Sequence, residues 1–352
     1  MIEIKSRIHP YVVHESANLR DALSLAAGEK RAFALADRKV HELYPEAFSA
    51  TPAERLYLIE ATEEEKSFER LGPIIQWLLD SGFRRDSALL VVGGGVVQDI
   101  GCFIASTLLR GVQWNLVPTT LLAQCDSCIG SKSSINVHGY KNQMGTFYPP
   151  HQVFLVFDVL ASLPTDEKRS GMGEIIKLHL VAGEAEFERL RAELSKGEDD
   201  PAVLRKLVFD SLLIKQKFIE EDEFDKGVRN LLNYGHTFGH AYESATHYAI
   251  PHGIAVSLGV ATATFFSAQL GLVSTAYYEE LNAWLKHYYQ PYQEVMQRAE
   301  LEQILAAMKL DKKNVGADIT CILTRGAGAM EKVALSMEQQ VRPMLRDWIA
   351  SL

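Results

Sequence analysis

His236 and His240 stand four positions apart within Asn230-Leu231-Leu232-Asn233-Tyr234-Gly235-His236-Thr237-Phe238-Gly239-His240, so on a helix both imidazoles face one side. Such a side can hold a metal ion. The same spacing marks the two-histidine helix of zinc hydrolases, but the glutamate that would act there as general base is Thr237 here, which weakens a hydrolase reading. The other reading is a pair of partly buried, hydrogen-bonded histidines. Pro251-His252-Gly253 adds a third imidazole one loop later. Upstream, Glu174 and Lys177 lie three positions apart among Met172, Ile175, Ile176 and Leu178. A surface ion pair is the usual explanation of that spacing, yet a carboxylate in such apolar company needs a partner charge or a metal.

A second kind of chemistry is phosphate binding. The unbroken apolar run Ala88-Leu89-Leu90-Val91-Val92 reads as a buried parallel strand and enters Gly93-Gly94-Gly95-Val96-Val97-Gln98-Asp99, ahead of a helix from about Ile100 to Leu109. Strand, glycines and helix bring backbone N–H groups and a positive helix end against a pyrophosphate. The spacing is not GxGxxG, so a tight turn without a ligand is the competing reading. Asp126, Lys132, Asn136, Lys141 and Asn142, interleaved with Gly130, Ser131, Ser133, Ser134 and Gly139, resemble an anion cradle more than a connector. Cys125-Asp126-Ser127-Cys128 matches CxxC, but no second such pair accompanies it, and small reduced cysteines in a packed segment weigh more than zinc or redox chemistry.

The elements that must position these groups fall into two parts. Up to about residue 160 strands and helices alternate: Tyr11-Val12-Val13, a helix over Leu19 to Ala27, a strand from Arg31 to Ala36 ending at Asp37, then Leu56 to Glu60, a Glu-rich turn, an amphipathic helix through Ile74 and Trp77, and strands over Val112 to Val117 and Val153 to Phe157. A strand ending in Asp37 suits an acidic side chain that accepts a ribose hydroxyl. Beyond that point helices dominate, including Val203 to Phe218 and the almost wholly apolar Ile254 to Leu270, with one late strand over Ile319 to Leu323. Thirty-six basic against forty-five acidic side chains give a net charge of -9, which argues against nucleic acid as a partner. Met1-Ile2-Glu3-Ile4-Lys5 has no apolar signal core, and no uncharged apolar run reaches the ~18 residues of a membrane span. A cytoplasmic protein without a membrane partner is expected.

Taken together, Gly93-Gly94-Gly95-Val96-Val97-Gln98-Asp99, Arg110-Gly111, Pro118-Thr119-Thr120-Leu121-Leu122, Asp126-Ser127, Lys141-Asn142, Gly173-Glu174-Ile175-Ile176-Lys177 and the stretch Leu232 to His240 resemble dehydroquinate synthase and the wider sugar phosphate cyclase superfamily. The resemblance runs from about Asp37 to Lys313. It implies an α/β NAD-binding domain over 1–160, an all-helical metal- and substrate-binding domain over 161–352, an active site in the cleft between them, and a homodimer. It places zinc or cobalt on Glu174, His236 and His252, with His240 serving the substrate. NAD contacts fall on Asp37, Glu63, Lys66, Gly94, Gly95, Val96, Asp99, Thr119, Thr120, Lys141 and Ser162. Substrate and catalytic contacts fall on Asp126, Lys132, Asn142, Lys177, Lys215, Asp225, Arg229, Asn233 and one of Lys312 or Lys313, with Arg110 reaching in from the partner subunit.

The activity so implied converts 3-deoxy-arabino-heptulosonate 7-phosphate to 3-dehydroquinate: transient oxidation by NAD, elimination of phosphate, reduction, and an intramolecular aldol step. Lys215, Arg229 and Asn233, the positions that receive the substrate carboxylate in this family, favour that substrate over sedoheptulose 7-phosphate or glucose 6-phosphate. Four departures from the family pattern bear on the choice: Ser131 stands where a second glycine is usual, Asp225 where Glu is, Ile254 where Glu follows His-Gly, and Gln98 where a smaller residue is. A cyclitol synthase acting on another sugar phosphate, an NAD-dependent polyol dehydrogenase and a catalytically silent sugar-phosphate binder are the alternatives.

Overall fold

A computed structural model describes residues 1–28, 30–138, 140–309 and 318–352. The chain divides into two compact units, Met1–Pro164 with Lys215–Phe224, and Thr165–Ile214 with Asp225–Leu352. In the first, strands β1 (Ile2–Ile4), β2 (Tyr11–Glu15), β3 (Ala32–Asp37), β4 (Leu56–Ile59), β5 (Ala88–Gly93), β6 (Gln113–Pro118) and β9 (Gln152–Leu155) form one sheet; β7 (Ile135–Val137) and β8 (Tyr140–Met144) form a separate hairpin. The sheet order is β1-β2-β9-β6-β5-β3-β4, parallel throughout except where β1 runs against β2. Every residue of β5 is buried, as expected of a central parallel strand covered on both faces. The helices of this unit are α1 (Leu19–Ala27), α2 (Arg38–Leu43), α3 (Leu71–Asp80) and α4 (Gly95–Thr107).

The topology selects one end of the sheet. From β3 the chain crosses outward to β4, whereas from its neighbour β5 it crosses the opposite way to β6. The carboxyl ends of β3 and β5 therefore flank the point where the winding reverses, the place where open α/β sheets bind ligands. Asp37 closes β3 there and Gly93 closes β5.

The second unit contains α5 (Thr165–Ala182), α6 (Glu184–Leu194), the start of α7 (Pro201–Glu221), α8 (His236–Ala245), α9 (His252–Gln269), α10 (Thr275–Tyr289), α11 (Gln293–Arg298), α12 (Leu301–Lys309) and α13 (Arg342–Ser351). Helix α9 is apolar all round and buried along most of its length, so it is the hub against which α5, α8 and α10 pack. No helix among the described residues is long and apolar enough to cross a membrane. The unit is helical but not wholly so: β10 (Asp318–Thr324) and β11 (Met330–Ser336) pair antiparallel. The late strand expected from Ile319 to Leu323 is β10; its partner and α13 carry charged residues that blur a two- or 3.6-residue pattern.

Glycines bring the helices of this unit into backbone contact. A Cβ on Gly173 of α5 would lie 2.0 Å from the Gly253 carbonyl oxygen, and one on Gly253 would lie 1.7 Å from that of Ser170. A Cβ on Gly259 of α9 would lie 2.0 Å from the Gly235 oxygen, and Gly235 itself has φ +80, where a side chain is strained. Helices α5, α8 and α9 thus meet at distances no other residue permits.

Candidate functional site

Those close contacts place the ionisable groups of the second unit. His236 opens α8, His252 opens α9, and Glu174 sits in the middle of α5. Glu174 Oε1 lies 3.5 Å from His236 Nε2 and 3.2 Å from His252 Nε2, while its Oε2 takes the Lys177 ammonium at 2.5 Å. Among the described residues His236, His240 and His252 bring one ligating nitrogen each within 4.8 Å of one another. The HxxxH face therefore exists as the spacing predicts. Glu174 and Lys177 are buried at 1% and 2% exposure, as the apolar turn around them requires. Burial opposes the Glu174 charge, but Lys177 first and His252 second outweigh it and hold the carboxyl far below its usual range. Burial also opposes the His252 charge, yet Glu243 and Glu174 push it up to about 10. Imidazoles and a carboxylate at these separations suit a divalent transition metal, which would displace the His252 proton.

Thr237, standing where a hydrolase carries its base, is buried and gives its hydroxyl to the Thr320 carbonyl at 3.3 Å, pinning α8 to β10. Ile254 is fully buried in α9, so this departure fills core rather than presenting a carboxylate. Arg229 and Asn233 lie on the 3-10 turn Val228–Asn233, with Arg229 buried. Asp225 has φ +56, a conformation Asp tolerates better than Glu, and accepts from Asn230 Nδ2 at 3.0 Å; Asn233 Nδ2 in turn donates to the Asn230 carbonyl at 3.0 Å. The shorter carboxylate thereby serves the turn that carries Arg229.

In the first unit the glycine turn leaves an uncapped helix end open. Val97 fills the side where Gly93 would carry a Cβ, Thr120 fills that of Gly94, and nothing lies within 4 Å on that side of Gly95. No side chain caps α4, leaving first-turn N–H groups, that of Val96 included, at a positive helix end. Thr119 Oγ1, buried at the end of β6, has no hydrogen-bond partner among the described residues. An orphaned donor beside an open glycine turn fits a bound dinucleotide. Asp37 is engaged as the N-cap of α2, accepting from Lys39 N at 2.8 Å; burial raises its carboxyl above the usual value.

A polar cluster stands beside this turn. Lys66 Nζ meets Asp99 Oδ2 at 3.2 Å, Asn142 Oδ1 at 3.2 Å and Glu63 Oε1 at 3.3 Å; Lys141 Nζ lies 3.8 Å from the same glutamate oxygen. Burial opposes the Lys66 charge, but Asp99 and Glu63 outweigh it and raise the lysine. Burial pushes Asp99 up to about 6 against the pull of Lys66. The structure thus brings Asn142, expected on the substrate, into contact with residues expected on NAD. Asn136, part of the expected anion cradle but given no ligand by the resemblance, bonds Glu63 Oε1 at 2.9 Å and accepts from Asn142 N at 2.8 Å. The hairpin pairing of β7 with β8, and the Asn136 N–H donated to the Lys66 carbonyl at 2.9 Å, bring it there.

Lys215 pairs with Asp126 Oδ1 at 2.8 Å and donates to the Asp126 carbonyl at 2.7 Å. Gln98, larger than the usual residue, clamps Ser127 in both directions, Nε2 to the carbonyl at 2.6 Å and Oε1 from the hydroxyl at 2.8 Å. Ser131 has φ +67 and gives its hydroxyl to Glu223 Oε1 at 2.9 Å. Lys132 and Arg110 are exposed. Ser162, also exposed, donates to the Val159 carbonyl within its own turn. Cys125 and Cys128 are buried free thiols, and burial pushes Cys128 up to about 12, as suits inert packing. Lys312 and Lys313 lie outside the described residues.

The chain is similar to known proteins over most of its length. A model of the 3-dehydroquinate synthase N-terminal domain matches residues 56–170, and one of the C-terminal domain matches residues 171–314. The 3-dehydroquinate synthase of Leptospira interrogans is 35% identical over 327 residues, spanning 91% of this chain and 90% of its own. The fold is shared with 2-epi-5-epi-valiolone synthase from Streptomyces hygroscopicus, solved with NAD+ and Zn2+ (TM-score 0.85, 24% identity, 100% of this chain and 99% of that one). It is shared equally with 2-deoxy-scyllo-inosose synthase, solved with carbaglucose-6-phosphate, NAD+ and Co2+ (TM-score 0.84, 20% identity, 98% and 99%).

Proposed function

The chain belongs to the 3-dehydroquinate synthase family, and from that premise we propose that it converts 3-deoxy-arabino-heptulosonate 7-phosphate to 3-dehydroquinate and phosphate, using NAD and a divalent cation, zinc or cobalt. The observation that carries the reading is the meeting of Glu174 with His236 and His252, in a chain 35% identical to a named synthase over most of its length. When bound, NAD supplies a reversible hydride acceptor and the cation supplies Lewis acidity at the hydroxyl to be oxidised.

The chain's own residues do the rest. Glu174, His236 and His252 hold the cation, and His240 offers a hydrogen bond to the sugar. Lys177 balances the buried Glu174 charge. Gly94, Gly95 and the first turn of α4 receive the pyrophosphate, with Thr119 and Thr120 beside them, while Asp37 accepts a ribose hydroxyl with the oxygen not used in capping. The Glu63–Lys66–Asp99 cluster fixes the nicotinamide side, and its bond to Asn142 supports placing Asn142 there too. Lys132 and Lys215 supply cations for the phosphate. Arg229, with Asn233 on its turn and Asp225 bracing it, supplies a guanidinium for the sugar acid's carboxylate. The proposal includes a homodimer to which Arg110 contributes across the subunit boundary, domain limits at 1–160 and 161–352, and a cytoplasmic location.

Purified, metal-loaded protein given the heptulosonate phosphate should release phosphate and form a cyclic product with no net NADH. Turnover of sedoheptulose 7-phosphate but not of the heptulosonate would overturn the substrate. Net accumulation of NADH would replace the cyclase by a polyol dehydrogenase.

A further inference from the structure

His252 has a carboxylate at each of its two ring nitrogens. Nε2 faces Glu174 Oε1 at 3.2 Å and belongs to the ligand cluster. Nδ1 faces Glu243 Oε2 at 3.1 Å. Glu243 is 4% exposed, on α8, seven positions after His236 and three after His240, so two helical turns align all three on the face turned toward α9. Nothing about the HxxxH spacing required an acidic residue at that position, and a buried carboxylate is expensive unless it is paired.

A carboxylate oxygen only accepts, so the contact at 3.1 Å requires the proton on Nδ1, and a cation entering the cluster displaces only the proton that Nε2 shares with Glu174, freeing that nitrogen's lone pair. The ring is also held from behind. Gly253 N donates to Ser170 Oγ at 2.9 Å, and the Gly173–Gly253 backbone contact fixes the first turn of α9 against α5. The imidazole therefore has one position set by backbone packing and one orientation set by Glu243.

We infer that Glu243 is a positioning residue of the cation site, which selects the Nδ1–H tautomer of His252 and thereby presents Nε2 for ligation. This rests on the reading that Glu174, His236 and His252 hold a divalent cation. Outer carboxylates of this kind change metal affinity without touching the metal.

The test is cobalt and zinc affinity of metal-free wild-type protein and of Glu243→Gln, Glu243→Ala and Glu243→Asp, by competition with a chromophoric chelator and by the visible absorption of bound Co2+. Glu243→Gln keeps the shape of the side chain and lets its amide donate to Nδ1, favouring the wrong tautomer. It is expected to weaken binding about 10- to 100-fold and to alter the Co2+ spectrum, with the thermal midpoint of the metal-free protein within a few degrees of wild type. Glu243→Asp should recover part of the affinity, which a purely space-filling role would not produce. Wild-type affinity and spectrum in Glu243→Gln would overturn the proposal even if Glu243→Ala does not fold. Failure of wild-type protein to take up either metal would instead overturn the cation-site reading on which it rests.

Discussion

Glu174, buried, and Asp99, partly buried, are carboxylates each paired with a buried lysine, and the protein treats them in opposite ways. Glu174 is held far below its usual range, whereas Asp99 rises to about 6. Burial opposes both charges. The difference lies in the company: Glu174 has Lys177 at 2.5 Å and two imidazoles within 3.5 Å, while Asp99 has Lys66 at 3.2 Å and shares that lysine with Glu63, a like charge. One carboxylate is held ionised; the other can change protonation. The scaffolds differ to match. The first is fixed by helix backbones touching at glycines, the second by a turn and a hairpin.

The harshest way to break the comparison is at the helix contacts. Gly253→Ala would force a methyl to 1.7 Å from the Ser170 oxygen, so α9 must shift from α5 and carry His252 away from Glu174. Overpacking costs about 1–3 kcal/mol where side chains can yield; backbone on backbone cannot, and about 3 kcal/mol or more is expected in thermal unfolding, with loss of bound metal. Retention of stoichiometric metal would show that the glycine contact does not set the ligand geometry.

Next come the two lysines. Lys177→Met leaves Glu174 buried without its ammonium, and breaking a buried pair costs about 3–5 kcal/mol. Lys66→Met should cost less, because Asp99 can take up a proton. Chemical denaturation of the metal-free variants measures both, and an equal loss would mean that the two clusters are not electrostatically distinct. Metal should restore much of the stability of Lys177→Met and none of Lys66→Met.

These contrasts also mark what could be read from the sequence. The strand, glycines and α4 were legible because an apolar run and a glycine turn are local signals, and HxxxH was legible because helical spacing is fixed. The union of Glu174 with two histidines came from family resemblance, since the Gly173–Gly253 contact that creates it joins residues eighty positions apart. Glu243 gave no signal beyond an acidic residue on a helix. Strand β1 is three residues long and the hairpin of β7 and β8 lies in a polar stretch, both too short for periodicity to count, so Asn136 could be read as part of a polar loop but not as a partner of Glu63 and Asn142. Asp37 was foreseen at the end of a strand, but its work as an N-cap depended on a six-residue helix with no strong pattern.

A milder test uses pH. A carboxyl raised by burial binds its proton more tightly in the folded protein than in the unfolded chain, so the stability Asp99 contributes is fully present below about 4 and is lost as pH rises through about 6. The sign is opposite to that of Glu174. At 1.36 kcal/mol per pH unit the effect is at most about 3 kcal/mol. Asp99→Asn should flatten this part of the pH dependence of the thermal midpoint between pH 4 and 6.5. An unchanged slope would place the titration elsewhere.

The smallest effect probes how the two regions handle backbone strain. The helix contacts use glycine, but the loop before Lys132 places Ser131 at φ +67, where a side chain costs about 1–2 kcal/mol. Its hydroxyl reaches the Glu223 carboxylate, which also takes Ser6 Oγ and Arg7 N at 2.6 Å each. A hydrogen bond to a charged group contributes about 1.5–3 kcal/mol, slightly more than the strain. Ser131→Gly removes both and should destabilise by less than about 1 kcal/mol; Ser131→Ala keeps the strain and removes the bond, and should cost about 2 kcal/mol. Urea unfolding of the two variants gives the order. If Ser131→Gly is more stable than the wild type, the Glu223 bond does not offset the left-handed turn, and the serine at this position is there for the ligand rather than for the loop.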